Sequence, residues 1–252
     1  MKNVIKLLAL SLAMVFVLAC FPACGSSNKY IIATDTTFAP FEFMGDDGKY
    51  VGIDIELLAA IAEDQGFQYD LQPLGFDAAV TALESGAADA VIAGMSITEA
   101  RKEKFVFSDP YYDSGVVMAI AADNNDVKAY ADLAGKTVAV KNGTEGQTFA
   151  DSIKDTYNFK VEVYKDSGTM YQAVKNGNAV ACFEDYPVMG YGISKGNGLK
   201  MVTDMEKGSS YGFAVKKGAG NDTLVEKFNT GLANIKANGK YQEILDKYIA
   251  TK

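Results

Sequence analysis

The sequence predicts an α/β protein of two lobes joined by two strand-like crossings, and three observations carry that prediction. Short apolar runs alternate with helical periodicity from Tyr30 to Ala93 and again from Thr137 to Phe183. A polar, Pro-bearing bridge at Ser108 to Asp113 and a second polar stretch at Glu206 to Ser210 each join two strand-like runs. Four strand-like runs are followed by polar residues or a glycine, Asp35, Gly94, Lys141 and Asp185, at the end of the strand where open α/β sheets hold their ligands.

Taken in order, Tyr30 to Thr34 reads as a strand, followed by a loop through Pro40 and a turn around Gly45 to Gly48. Asp54 reads as the cap of a helix with apolar positions 55, 58, 61 and 62 on one face, ended by Gly66. Phe67, Tyr69 and Leu71 alternate with polar residues as the next strand. Phe76 and Asp77 open a helix that stops near Gly86, and the apolar run 88–93 is a buried strand leading to a helix start at Thr98. This βαβαβ order predicts a parallel sheet. Phe105 to Phe107 and the run from Gly115 flank the first bridge. The second series comprises a strand at 137–140, a turn at 141–146 entering a helix, a strand at 160–164, a helix at 169–176 and a strand at 179–183. Pro187 suits the first turn of the helix after it. A strand at Tyr211 to Val215 and amphipathic helices at 222–237 and 240–249 complete the chain. The expected organisation is a large lobe from 29–112 and 212–252 and a small lobe from 113–211.

The chain has 252 residues, 48% hydrophobic and 22% charged, which is globular composition sufficient for one large or two modest domains. Lys2 and Lys6 precede an apolar run from Leu7 to Ala19, the order of an export signal, so 1–19 is expected to be a signal peptide. Val17, Leu18, Ala19 and Cys20 resemble a bacterial lipobox, which makes Cys20 the expected lipidation site, with Cys24 as the alternative and 20–28 as a tether. Removing the two lysines takes the formal charge from −8 to −10, which disfavours nucleic acid as a partner. With no His, the Ser-His and Cys-His nucleophilic pairs cannot be built, and a zinc site is improbable. Cys182, in an apolar run, reads as a buried small hydrophobe. No catalytic residue, metal or cofactor is expected.

The stretch Gly94-Met-Ser-Ile-Thr-Glu-Ala-Arg101 places a turn glycine, a hydroxyl and an arginine at a strand end. Arg presents a planar fork of donors that matches a carboxylate, and nearby backbone N–H groups add further hydrogen bonds. Each polar strand-end residue also has a plainer reading: Asp35 as a loop cap, Phe38 and Phe76 as core, Lys141 as a solvated cation, Asp185 as the cap of the helix at Pro187.

Six motifs link these elements to one family: Ala33-Thr-Asp-Thr-Thr-Phe-Ala-Pro-Phe-Glu-Phe43, Tyr50-Val-Gly-Ile-Asp54, Gly94 to Arg101, Phe107-Ser-Asp-Pro-Tyr-Tyr112, Val138-Ala-Val-Lys-Asn-Gly-Thr144, and Tyr211-Gly-Phe-Ala-Val-Lys216. Over residues 29 to 250 the chain resembles the extracytoplasmic solute-binding proteins (family 3) of polar amino-acid ABC importers, most closely the glutamine-binding branch. The resemblance implies a type II periplasmic-binding-protein-like fold and a protein that closes two lobes around an L-amino acid, expected to be glutamine, and delivers it to a membrane permease. Arg101, with Ser96 and the turn carrying Thr144 and Glu145, would hold the ligand carboxylate. Asp185 and the Gly94 carbonyl would receive the ammonium. Phe38 and Phe76 would flank the aliphatic stem, while Asp35 and Lys141 would reach the far end, where an acceptor and a donor together suit an amide. Glu184, beside Asp185, and Glu145 depart from the glutamine-binding pattern. Glutamate, arginine or cystine is the alternative ligand, and a cyclohexadienyl dehydratase on the same scaffold is the remote enzyme alternative. The expected state is a monomer, lipid-anchored at the outer face of the cytoplasmic membrane or periplasmic.

Overall fold

The computed structural model describes residues 29–249, so the expected signal peptide, Cys20, Cys24 and the tether lie outside the described residues. The first sheet starts with β1 (Tyr30–Thr34), whose inner residues Ile32 and Ala33 are fully buried. A small antiparallel sheet follows, made of β2 (Thr37–Phe38), β3 (Glu42–Met44) and β4 (Tyr50–Val51). It turns into helix α1 (Ile53–Gln65) through Gly52, at φ 133°, where a Cβ would sit 2.1 Å from the Phe41 carbonyl oxygen. Only glycine fits there. Gly52, not Asp54, is therefore the N-cap of α1, and Asp54 is turned fully inward from the first turn.

Beyond α1 come β5 (Tyr69–Pro73), α2 (Phe76–Ser85) and β6 (Ala90–Val91). Thr98 caps the short α3 (Glu99–Lys102), its hydroxyl accepting from Arg101 N at 3.2 Å, and β7 (Phe105–Phe107) follows. The chain then passes into a second sheet through β8 (Tyr112–Ala121). That sheet is built further from β9 (Thr137–Lys141), α4 (Glu145–Tyr157), β10 (Lys160–Tyr164), α5 (Ser167–Lys175), β11 (Ala181–Asp185), α6 (Tyr186–Ser194), β12 (Leu199–Met201) and β13 (Glu206–Tyr211). It returns at β14 (Ala214–Lys216) and ends in α7 (Asp222–Ala237) and α8 (Lys240–Tyr248).

The fold is thus a two-lobed α/β fold of the periplasmic-binding-protein type, with mixed sheets and eight α-helices among the described residues. The first sheet has the order β5-β1-β6-β14-β7 and the second β10-β9-β11-β8-β12, with β13 also on β8. Strands β5, β1 and β6 are parallel, as their βαβ connections require, but β14 runs antiparallel to β6 and β7. Likewise β8 opposes β11, β12 and β13. The parallel expectation for the βαβαβ series holds, and the antiparallel strands lie outside it, where a chain crossing from the other sheet enters from the opposite end. The expected strand at 211–215 is split, β13 belonging to one sheet and β14 to the other, and the polar stretch 206–210 is itself β13.

Apolar clusters cover both faces of each sheet. Leu57, Ile61, Phe228 and Leu232 join α1 and α7 on one face of the first, and Ala79, Leu83, Ala93 and Phe105 fill the other. In the second sheet Phe149, Ala150 and Phe183 pack beneath α4, and Met170, Val174, Cys182 and Met189 beneath α5 and α6. These layers fix the strand ends that carry the site.

Candidate functional site

The ends of β1, β6, β9 and β11 converge where the two sheets face each other, together with the loop after β6 and the N-terminus of α4. Phe38, Phe76, Gly94, Ser96, Arg101, Lys141, Thr144, Glu145 and Asp185 line one enclosed space there. Its volume is about 10 Å³, against the ~300 Å³ or more of an ordinary ligand pocket. Side chains from the facing lobes therefore touch one another across it.

At one end Lys141, on β9, makes a hydrogen-bonded ion pair with Asp35, which follows β1, and both are almost wholly buried. The Lys141 ammonium also lies 4.9 Å from the centre of the Phe38 ring, a cation–π contact. Asp35 Oδ1 accepts from the Thr36 amide at 2.6 Å, which fixes the carboxylate's direction.

At the other end Arg101 leans over the Phe76 ring at 5.3 Å. Its guanidinium donates to the Ser96 carbonyl at 2.8 Å on its own lobe and to the Gly143 carbonyl at 3.0 Å on the other. Glu145 stands 3.9 Å from it, with 17% of its side chain exposed. Burial lowers the Arg101 pKa, and the charges of Glu145 and Asp185 oppose that shift. Thr144 caps α4: its hydroxyl accepts from the Gln147 amide and donates to the Lys141 carbonyl at 2.8 Å, so it serves the turn and lines the site at once.

Asp185 sits at the N-cap position of α6 but makes no cap hydrogen bond. Its Oδ2 instead accepts from the Tyr211 hydroxyl at 2.6 Å and lies 3.5 Å from the Ser114 hydroxyl, which itself donates to the Tyr211 oxygen at 2.9 Å. Burial and the neighbouring Glu184 charge push Asp185 up to about 7, against the pull of Tyr211, Arg101 and Lys141. A carboxyl so poised gains most by receiving a cation.

Ten of the eleven sequence-predicted residues are accounted for in this assembly: nine line the enclosed space and Asp35 pairs with Lys141 at its edge. Glu184 is the exception, because neighbours on a strand point to opposite faces. Its carboxylate turns away from Asp185's, accepting from Ser167 and Tyr171 hydroxyls at 2.8 Å each and from the Asp185 amide. Tyr211 and Ser114 were missed. Tyr211 stood in a quoted motif, and its value comes from packing against Phe38, Phe41, Tyr111 and Tyr112, contacts that sequence separation hides.

Comparisons with known proteins bear on this geometry. The family described as bacterial extracellular solute-binding proteins, family 3, matches residues 30–251. An arginine-binding periplasmic protein of Mannheimia haemolytica is 32% identical, with 88% of this chain and 92% of that protein covered. Substrate binding domain 2 of Lactococcus lactis GlnP, solved in an open conformation, is 43% identical over 88% of this chain and 96% of its own, with a TM-score of 0.60. An ancestral arginine-binding protein solved with glutamine bound is 35% identical over 88% of this chain and 98% of its own, with a higher TM-score of 0.81.

Proposed function

The chain belongs to the bacterial extracellular solute-binding proteins of family 3, and from that premise we propose that it captures a polar L-amino acid, glutamine first, between its two lobes. In this reading it then hands the ligand to the permease of an ABC importer. The observation that carries the reading is the division of the site into two charged ends spaced by aromatic rings. Arg101 and Asp185 offer a donor fork and a carboxylate to the two charged groups that every amino acid has. Asp35 and Lys141 offer an acceptor and a donor to the far end, which an amide can answer with both of its groups. A glutamate would set its carboxylate against Asp35, and an arginine would set its cation against Lys141. The overlay supports capture by lobe movement: the chain fits a glutamine-bound relative better than a more similar domain in its open conformation. Entry requires the lobes to part, and the ligand then replaces the Asp35–Lys141 and Arg101–Gly143 contacts that now span the gap.

Thermal unfolding of the mature protein, stripped of ligand by unfolding and refolding, against a panel of L-amino acids tests the assignment. A ligand at about 100 times its Kd stabilises by roughly 2.7 kcal/mol. Glutamine alone giving that shift fits the proposal; arginine or cystine giving it instead would retain the lobes and overturn the far-end assignment. Among the described residues no helix is long and apolar enough to cross a membrane, and we place the anchor at Cys20. Replacing Cys20 with Ser should abolish incorporation of labelled fatty acid, and retention of the label would move the anchor to Cys24.

A further inference from the structure

Two carboxyl groups lie fully buried behind the ligand-facing residues, Glu42 on β3 and Asp54 on α1. Asp54 Oδ2 is well supplied: it accepts from the Gly94 amide at 2.7 Å and from the Tyr111 hydroxyl at 2.7 Å. Asp54 Oδ1 and both Glu42 oxygens have no hydrogen-bond partner among the described residues. The Asp54 amide donates to the Phe41 carbonyl at 2.9 Å, which sets the head of α1 against the residue preceding Glu42, so that each buried carboxyl lies in the other's field. Two fully buried acceptor groups side by side, with no donor between them among the described residues, are satisfied most simply by a shared proton. Among the described residues the charges acting on Glu42 offer no free cation: Asp54 and Asp35 are like it, and Lys141 is already paired with Asp35.

We propose that Glu42 and Asp54 share one proton, carried on Glu42 and donated to Asp54 Oδ1, and that the pair acts as positioning residues for the Gly94 corner of the ligand site. The proton resides on Glu42 because Asp54 already has two donors that favour its charged form and Glu42 has none. Burial and the Asp54 charge raise Glu42 well above the usual carboxylate range, while Asp54 is pushed up only to about 6. The pair matters to the site through one backbone group. Gly94 holds φ at +53°, and a Cβ there would lie 2.2 Å from the Phe38 ring. Phe38 in turn faces Glu42 across the β2–β3 ladder. Asp54 thus holds the Gly94 corner by its amide while Phe38 closes over it, and Glu42 keeps Asp54 in the orientation that does so.

Part of the test rests on the glutamine reading and part does not. Carbon-13 NMR of the full chain labelled at Glu carboxyls should show one Glu resonance at the protonated position at pH 7, titrating well above the usual carboxylate range and absent from Glu42→Gln. Every Glu carboxyl ionised at pH 7, with ordinary acid midpoints, overturns the proposal whether or not glutamine is the ligand. With L-glutamine as probe, Glu42→Ala should weaken binding by about tenfold or more, since it leaves Asp54 Oδ1 unpaired, and Glu42→Gln, which restores a donor, should recover most of that loss. Equal losses in both variants would remove the proton from the account. Should Glu42→Ala fail to fold, the NMR signature and the Glu42→Gln affinity decide alone.

Discussion

The two ion pairs that reach across the site differ in what they can do. Asp35–Lys141 is sealed, with side-chain exposures of 1% and 2%, and is in direct hydrogen-bonded contact; Arg101–Glu145 is looser, 3.9 Å apart, with 14% and 17% exposed. A sealed pair is held by the cost of separating it, because either partner alone would be a bare charge in a poor solvent. The looser pair, longer and partly exposed, costs less to separate. Under the proposed function, that difference would divide selectivity from capture. On the proposed reading, the sealed end would reject a ligand unless its groups answer both charges, and the looser end would give up its guanidinium more readily to a ligand carboxylate.

Lys141→Met should break this contrast most sharply. It strands Asp35, at a cost of roughly 3–5 kcal/mol, seen as a melting temperature lower by on the order of 10 °C. Adding Asp35→Asn should restore most of the stability. If the single variant melts like the wild type, the pair is not sealed in solution.

The next effect concerns acidity. Asp185 is held at about 7 in the protein without ligand, and a bound ammonium would favour its charged form. Binding therefore expels a proton at and below neutral pH, and L-glutamine affinity should fall by about tenfold from pH 8 to pH 6. The same raised pKa has the opposite sign for unliganded stability. The contribution is full below the unfolded carboxyl's range near 3.8 and is lost as pH rises through about 7. Calorimetry in two buffers of different ionisation enthalpy would read the released proton, and a flat profile would show that Asp185 does not take the ammonium.

The smallest effect belongs to Glu145→Gln. Removing a competitor for Arg101 should leave affinity unchanged or raise it by a few fold, within about 1 kcal/mol, and should reduce its salt dependence. A large loss would mean that Glu145 itself holds ligand.

Much of the fold was legible because periodicity is local. Helix α7 spans the residues its amphipathic spacing predicts, and β1 and β10 match their apolar or alternating runs. The direction of β14 was not legible, since Val215 pairs with Ala90, 125 positions away, and nothing near Val215 records which way its partner runs. Asp54 misled for a related reason. Its setting before an apolar helix is that of a cap, and its partner, the Gly94 amide, lies forty residues on. Glu184 is different: the alternation of side chains along β11 already sets it opposite Asp185, and that signal went unused. The site residues came from motifs and strand ends, while Tyr211, Ser114 and Glu42 depend on contacts made only in three dimensions.

The position of β14 has one more consequence, in the order of assembly. The second sheet is drawn from one continuous stretch of chain, and its two ends already pair at Tyr112 and Tyr211. The first sheet, by contrast, has β14 as an inner strand between β6 and β7. Until residues 214–216 arrive, β6 and β7 present bare edges that no local segment can cover. The lobe written in the middle of the chain is thus the first that can finish, and the lobe that begins the chain must wait for its last strand.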